Sequence, residues 1–159
     1  MQGNTKLLEV LNQLLADELT AINQYMVHSE MCDNWGYRKL HKAIEHQAHE
    51  EMHHAHWLIQ RIIFLDGLPV VSKLNPMQIG KSIPDMIHND EEDELGAVRA
   101  YNAAVQLALE VGDQASVDLL TKILKMEEGH VDWGEQQRAQ IQQMGLENYL
   151  TNQTEAAAG

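Results

Sequence analysis

The sequence predicts an all-α protein: a four-helix bundle with one long crossover connection and a short fifth helix at the C-terminal end. Three observations lead there. Apolar residues recur at three- and four-residue steps over four long stretches. The 159 residues are rich in Leu, Ala, Gln and Glu and hold one Phe and three Pro, a balance that favours helix over sheet. One stretch between the second and third periodic segments has no clear periodicity.

The first stripe, Leu7, Leu11, Leu14, Ile22 and Tyr25, predicts a helix over residues 5–33, interrupted by Asn34, Trp35 and Gly36. The second, Leu40, Ile44, Ala48, Ala55, Leu58, Ile62 and Leu65, predicts a helix over 37–64 that Asp66, Gly67 and Pro69 stop. Residues 66–81 hold Pro69, Pro76 and Gly80 and read as a connection too long for a hairpin turn. A helix of ~28 residues is ~42 Å long, and a loop of ~16 residues stretches to ~50 Å. The loop therefore spans the bundle and sets the second and third helices parallel, whereas up-down bundles use only short loops. Ile83, Ile87, Ala97, Tyr101, Ala104 and Ala108 mark a third helix over 82–111, and Leu120, Leu124 and Val131 a fourth over 114–144. A brief fifth helix is expected over 146–154, followed by a frayed tail of Glu155, Ala156, Ala157, Ala158 and Gly159. No break in composition divides residues 1–159, so one domain is expected.

The formal net charge of -13 argues against a nucleic-acid groove and makes the chain attractive to cations. Cys32 stands alone, so no intrachain disulfide forms, and the N-terminus has no basic stretch leading into an apolar one. A reducing, cytoplasmic setting is the expectation. Every hydrophobic segment is broken by charges well short of the ~20 apolar residues a membrane helix needs.

The chemistry lies in an internal repeat. Each stripe is interrupted by a Glu at a core-facing position: Glu18, Glu51, Glu94 and Glu127. Four converging buried carboxylates repel one another, and bound cations relieve that repulsion. Glu51 and Glu127 each begin Glu-x-x-His, with His54 and His130 one turn further along the same face. Glu18 and Glu51 are 33 residues apart, as are Glu94 and Glu127, and the two halves are offset by 76 residues. The same 76 relates Tyr25 to Tyr101 and Trp57 to Trp133. A lone Glu and a Glu-x-x-His from each of two helix pairs is the donor pattern of di-iron carboxylate bundles. Four ionised Glu balance two divalent cations, and oxygen donors with imidazole suit iron or manganese better than a closed zinc site. A salt-bridged network without metal would need basic partners that the stripes lack. Tyr25 and Tyr101 lie two turns from Glu18 and Glu94, placed to hydrogen-bond carboxylates, donate an electron or simply pack.

Over nearly its whole length the chain resembles the bacterioferritin family. The resemblance rests on Glu18 with Ala21-Ile22-Asn23-Gln24-Tyr25, on Glu51-Met52-x-His54-Ala55 and on Phe64-Leu65-x-Gly67-Leu68-Pro69. It rests further on Glu127-Glu128-Gly129-His130-x-Asp132-Trp133 and Gly145-Leu146-Glu147-Asn148-Tyr149-Leu150. It implies a ferritin-like bundle and an intrasubunit di-iron ferroxidase centre of Glu18, Glu51, His54, Glu94, Glu127 and His130. There Fe(II) would be oxidised by O2 or H2O2, and ferric mineral stored in a hollow shell of 24 subunits built from dimers. It also implies haem b at two-fold interfaces with Met52 as axial ligand, and a ferredoxin-type reductant for iron release. His46 and Glu50 match an accessory iron site on the inner wall, and Asn34, Asp66 and Asp132 match pore positions. Met52 lies ~100° around its helix from Glu51, off the core and able to meet a symmetry mate.

His41, His46, His49, His53 and His56 crowd the second helix, and their imidazoles compete in principle for haem or iron. His49-Glu50-Glu51-Met52-His53 also satisfies the zinc-protease pattern. Yet His49 and His53 fall ~160° from Glu51, on the side away from the core. A di-iron oxygenase would need an apolar cavity, where Leu, Ile and Tyr are expected to fill the stripe. A rubrerythrin-like peroxidase would need four Cys for its second domain. A DNA-protecting mini-ferritin would place its ligands between subunits.

Overall fold

The computed structural model describes residues 1–157 and consists of helices joined by loops, with α1 at Thr5–Asn34, α2 at Arg38–Phe64, α3 at Ile83–Glu110, α4 at Gln114–Met144 and α5 at Leu146–Thr151. Among the described residues there is no strand. No described helix is long and apolar enough to cross a membrane.

The helix ends follow from local chemistry. Asn4 caps α1 by accepting from the Leu7 amide at 3.1 Å, Ser82 caps α3, and Asp113 caps α4 through the Ser116 amide. The C-terminus of α1 closes with the Tyr37 amide donating to the Cys32 carbonyl around Gly36, whose φ of 83° only glycine adopts freely. At the end of α2, Asp66 takes the left-handed conformation instead, with φ 58°. Its terminus is held by the Gly67 amide on the Ile62 carbonyl. The fifth helix ends three residues short of its expected boundary. The chain there turns back, and Gln153 accepts a hydrogen bond from the Lys39 amide at the start of α2. The tail expected to fray from Glu155 onward begins instead with an ion pair between Glu155 and Lys42. Ala158 and Gly159 lie outside the described residues.

The crossover, residues 65–82, runs beside α1 in the same direction. Asn12 holds the Leu68 carbonyl and the Val70 amide. Asp17 and Thr20 hold Asn75, Gln24 holds the Gln78 amide, and His28 Nε2 accepts from the Gly80 amide at 2.9 Å. The strap thus returns the chain to the far end of α1, so α3 starts there and runs antiparallel to α1 and parallel to α2, as the loop length predicts. His28 is fixed by its other nitrogen, 2.9 Å from Asp90 on α3, and Gln24 donates to both Asp90 and Asp93.

α1 pairs with α2 and α3 with α4, and the two hairpins pack face to face. Two hydrophobic clusters result. Leu7, Leu11, Leu58, Ile62, Leu120 and Ile123 fill one end, and Cys32, Leu40, Ile44, Met86 and Tyr149 the other. Each fully buried Leu or Ile contributes ~1.5–3 kcal/mol. These clusters offset the cost of a polar belt buried between them.

At Gly80 an added Cβ would stand 2.5 Å from the Met86 amide nitrogen and 2.8 Å from its Cα, backbone atoms that cannot swing aside. At Gly129, inside α4, it would meet nothing within 4 Å. Gly80→Ala is expected to destabilise by ~1–3 kcal/mol and Gly129→Ala to stabilise by up to ~1 kcal/mol. Urea unfolding of iron-free protein reads both, and equal midpoints would contradict this account of the strap.

Candidate metal centre

The polar belt is made by one residue or one residue pair from each long helix: Glu18 from α1, Glu51 and His54 from α2, Glu94 from α3, Glu127 and His130 from α4. All six are buried. They form two overlapping groups, Glu18–Glu51–His54–Glu127 and Glu51–Glu94–Glu127–His130, within each of which the ligand atoms lie inside 4.8 Å of one another. Glu51 and Glu127 belong to both. His54 Nδ1 is 3.1 Å from Glu51 and Glu127 and 3.6 Å from Glu18. His130 Nδ1 is 2.9 Å from Glu51, 3.2 Å from Glu127 and 3.3 Å from Glu94.

The hydrogen that each imidazole carries is assigned by its outer contact. His130 Nε2 donates to Glu50 at 2.6 Å, and His54 Nε2 faces the Met126 thioether at 3.3 Å. Both rings therefore turn Nδ1 toward the carboxylates. Glu50 and Met126 are themselves related by the 76-residue offset, but one offers a charge and the other a weak acceptor. A carboxylate behind a ligating imidazole fixes its orientation and raises its basicity.

Tyr25 donates to Glu94 and Tyr101 donates to Glu18, each phenol crossing to the opposite helix. The antiparallel register of α1 and α3 explains this, because the Glu seven residues back on the same helix is ~10 Å away along the axis. Among the described residues, Glu51 Oε1, Glu127 Oε2 and His130 Nδ1 are buried without a hydrogen-bond partner. All three aim into the second group, and orphaned acceptors of this kind are what a cation satisfies.

Electrostatics give the same picture. Burial and the charge of Glu127 push the Glu94 carboxyl up to about 8. Burial and neighbouring Glu51 hold Glu18 far above the usual carboxylate range. Burial alone would lower His54, but its hydrogen bonds to Glu127, Glu18 and Glu51 outweigh it and raise the ring to about 12. Against its burial, the nearby carboxylates of Glu127, Glu51 and Glu94 raise His130 as well. The imidazoles thus supply the basic partners that the sequence seemed to lack, with protons holding the place of cations.

A cavity of about 290 Å³ leads from this belt to the surface between α1 and α3, lined by Tyr25 and Tyr101 inside and by Asp17, Asn75, Glu92 and Asp93 toward the mouth. The sequence led us to expect this space to be filled. Acids and phenols line it alongside Ala21, Pro76 and Ala97, and it stands open toward the surface.

The remaining candidates are dispersed. Met52 is 53% exposed on α2. His46 Nε2 lies 2.8 Å from Glu50, whose second oxygen holds His130, so the accessory pair is wired to the centre. That use of Glu50 also turns it away from His49 and His53, which lie exposed. His41 bonds the Ser29 carbonyl, and His56 lies near Gln60. Asn34 and Asp66 sit at opposite ends of the α1–α2 hairpin, and Asp132 on α4 is held by Gln136.

Four helices present four Glu and two Glu-x-x-His imidazoles to one interior point, the donor set of a carboxylate-rich helical bundle. Residues 8–144 match the ferritin-like domain. The chain is 39% identical to a bacterial ferritin of Synechocystis sp. over 96% of its length and 99% of that protein's. It is 37% identical to a bacterioferritin of Brucella melitensis (94% and 92%) and 38% identical to one of Rhodobacter capsulatus (94% and 92%). The chain belongs to the ferritin family, among the bacterioferritins.

With Glu94 raised toward 8, the folded centre holds protons between pH ~4.5 and 8 that an incoming cation must displace. Divalent-metal binding is therefore expected to release protons at pH 7. It should tighten by about tenfold per pH unit for each proton displaced, and the share due to Glu94 should end near pH 8. Anaerobic Co(II) titrations at pH 6, 7 and 8 measure this, and a pH-independent affinity would contradict it.

Proposed function

We propose that this chain oxidises Fe(II) to Fe(III) at the Glu18–Glu51–His54–Glu94–Glu127–His130 centre, with O2 or H2O2 as acceptor, and stores the ferric mineral inside a hollow shell of its own copies. The observation that carries this reading is the sharing of Glu51 and Glu127 by two donor groups. Two Fe(II) ions bound side by side can pass two electrons to a single acceptor molecule. Their four positive charges are balanced by four carboxylates. The residues do the rest. Glu18 with His54, and Glu94 with His130, would each hold one ion, and Glu51 and Glu127, common to both groups, would serve the pair. Tyr25 fixes the carboxylate of Glu94 within reach of a redox step. The acidic mouth at Asp17 and Asp93 draws Fe(II) inward, and the His46–Glu50 pair is a stopping place for iron on the opposite side.

The relatives' printed names, bacterioferritin and bacterial ferritin, support iron storage. The family resemblance supports a cytoplasmic assembly of 24 subunits built from dimers, with a ferredoxin-type reductant for iron release. Met26, Val27, Met52, Ile63 and Phe64 are exposed apolar side chains of the kind that copies of the chain cover. Met52 is the residue that would hold haem b between two copies of the chain. Its thioether stands free on a rigid helix, where a symmetry mate can supply the second sulfur. Haem there supplies a one-electron carrier.

Two outcomes test the reading. Two Fe(II) per chain are expected to be oxidised in a fast phase after anaerobic loading and oxygen mixing. Glu18→Ala or His130→Ala should slow that phase by about tenfold or more while the far-UV spectrum is kept. Fast oxidation surviving in both variants sinks the assignment. Met52→Leu should lose the visible haem spectrum and keep fast oxidation, and a haem spectrum that persists removes Met52 from the role.

A further inference from the structure

We propose that Tyr101, together with its counterpart Tyr25, gives an electron to the centre, so that one molecule of oxygen is taken to water there. This rests on the Fe(II)-oxidising reading above. The inner donors are duplicated: Glu18 and His54 define one position, Glu94 and His130 the other, and each position's terminal Glu accepts a hydrogen bond from its own buried phenol. Tyr25 and Tyr101 are each 1% exposed, and both line the cavity that reaches the four carboxylates. A phenol needed only for packing would not be matched at the same 76-residue offset by a second making the same bond to the matching acid.

The chemistry balances only with both. Reduction of O2 to two waters takes four electrons and four protons, and two Fe(II) supply two electrons. Each phenol supplies one electron and one proton, the proton leaving along the hydrogen bond to Glu18 or Glu94. The sum is 2 Fe(II) + 2 TyrOH + O2 + 2 H⁺ → 2 Fe(III) + 2 TyrO• + 2 H2O. Further Fe(II), with one proton per radical, then restores each phenol. With one phenol the electrons fall one short of two waters, so the oxygen leaves at the two-electron stage, 2 Fe(II) + O2 + 2 H⁺ → 2 Fe(III) + H2O2, and the remaining phenol is not oxidised.

Other aromatic groups are worse placed. Trp57 lies 5.7 Å from His54, ring centre to ring centre, but the Lys122 ammonium sits 3.8 Å above its ring and opposes a positive hole there. Tyr149 bonds Gln137 and packs with the second hydrophobic cluster, together with Trp133 and Tyr37.

The test is freeze-quenched electron paramagnetic resonance after oxygen is mixed with protein carrying two Fe(II) per chain, with hydrogen peroxide release assayed alongside. Ring-deuterated tyrosine identifies the radical. Tyr101→Phe and Tyr25→Phe should each lose most of the wild-type tyrosyl signal and release close to one hydrogen peroxide per two Fe(II), as the double variant should. Two Co(II) bound per chain shows that each variant keeps its site. A Tyr101→Phe variant that keeps the tyrosyl signal and releases no peroxide overturns the proposal while leaving the centre's assignment standing. Wild-type protein that fails to oxidise Fe(II) rapidly overturns both.

Discussion

The structure is organised around the mutual repulsion of four carboxylates held within one bundle. Glu18, Glu51, Glu94 and Glu127 occupy positions that apolar residues hold elsewhere on the same stripes, and each is almost wholly withdrawn from water. That arrangement persists only if positive charge enters, as protons on Glu94 and the imidazoles or as metal ions in their place. Hydrophobic clusters at both ends of the bundle clamp the belt from above and below, so the helices cannot part to relieve the strain. The same clamp holds the donors ready before a cation arrives.

The helices and the donor set were legible in the sequence because both are local and periodic. Stripes at three- and four-residue steps located all four long helices to within a residue or so at each end, and Glu-x-x-His at the same period placed His54 and His130 beside their acids. What was not legible depends on how one helix is rotated against another. Gln24, His28 and Asp90 look like ordinary polar residues in sequence, yet they lock the crossover because α1 and α3 meet at that register. A buried acid one turn before Glu94 was the available signal. Glu50 read only as the partner of His46 in an accessory iron pair, but the seam between α2 and α4 also brings it to His130. The brief fifth helix was drawn too long because the contact that ends it comes from the distant Lys39 amide.

The crossover is a working part of the site. Asn75 bonds Asp17 at 2.6 Å and lines the cavity mouth, so the strap that fixes the topology also frames the opening on the acids. A mutation in this loop therefore acts on stability through Gly80 and on cation access through Asn75. A surface loop free of contacts would give neither effect.

The 76-residue repeat has a consequence for ancestry. Each hairpin carries half of the donors, one Glu and one Glu-x-x-His, together with half of the phenols. Two copies of one such hairpin would assemble the complete set about a dyad, which makes the present chain the covalent equivalent of a homodimer. Fusion frees the halves to diverge. The pair Glu50 and Met126 shows where they have done so, since one imidazole is now anchored to a charge and its twin to a sulfur.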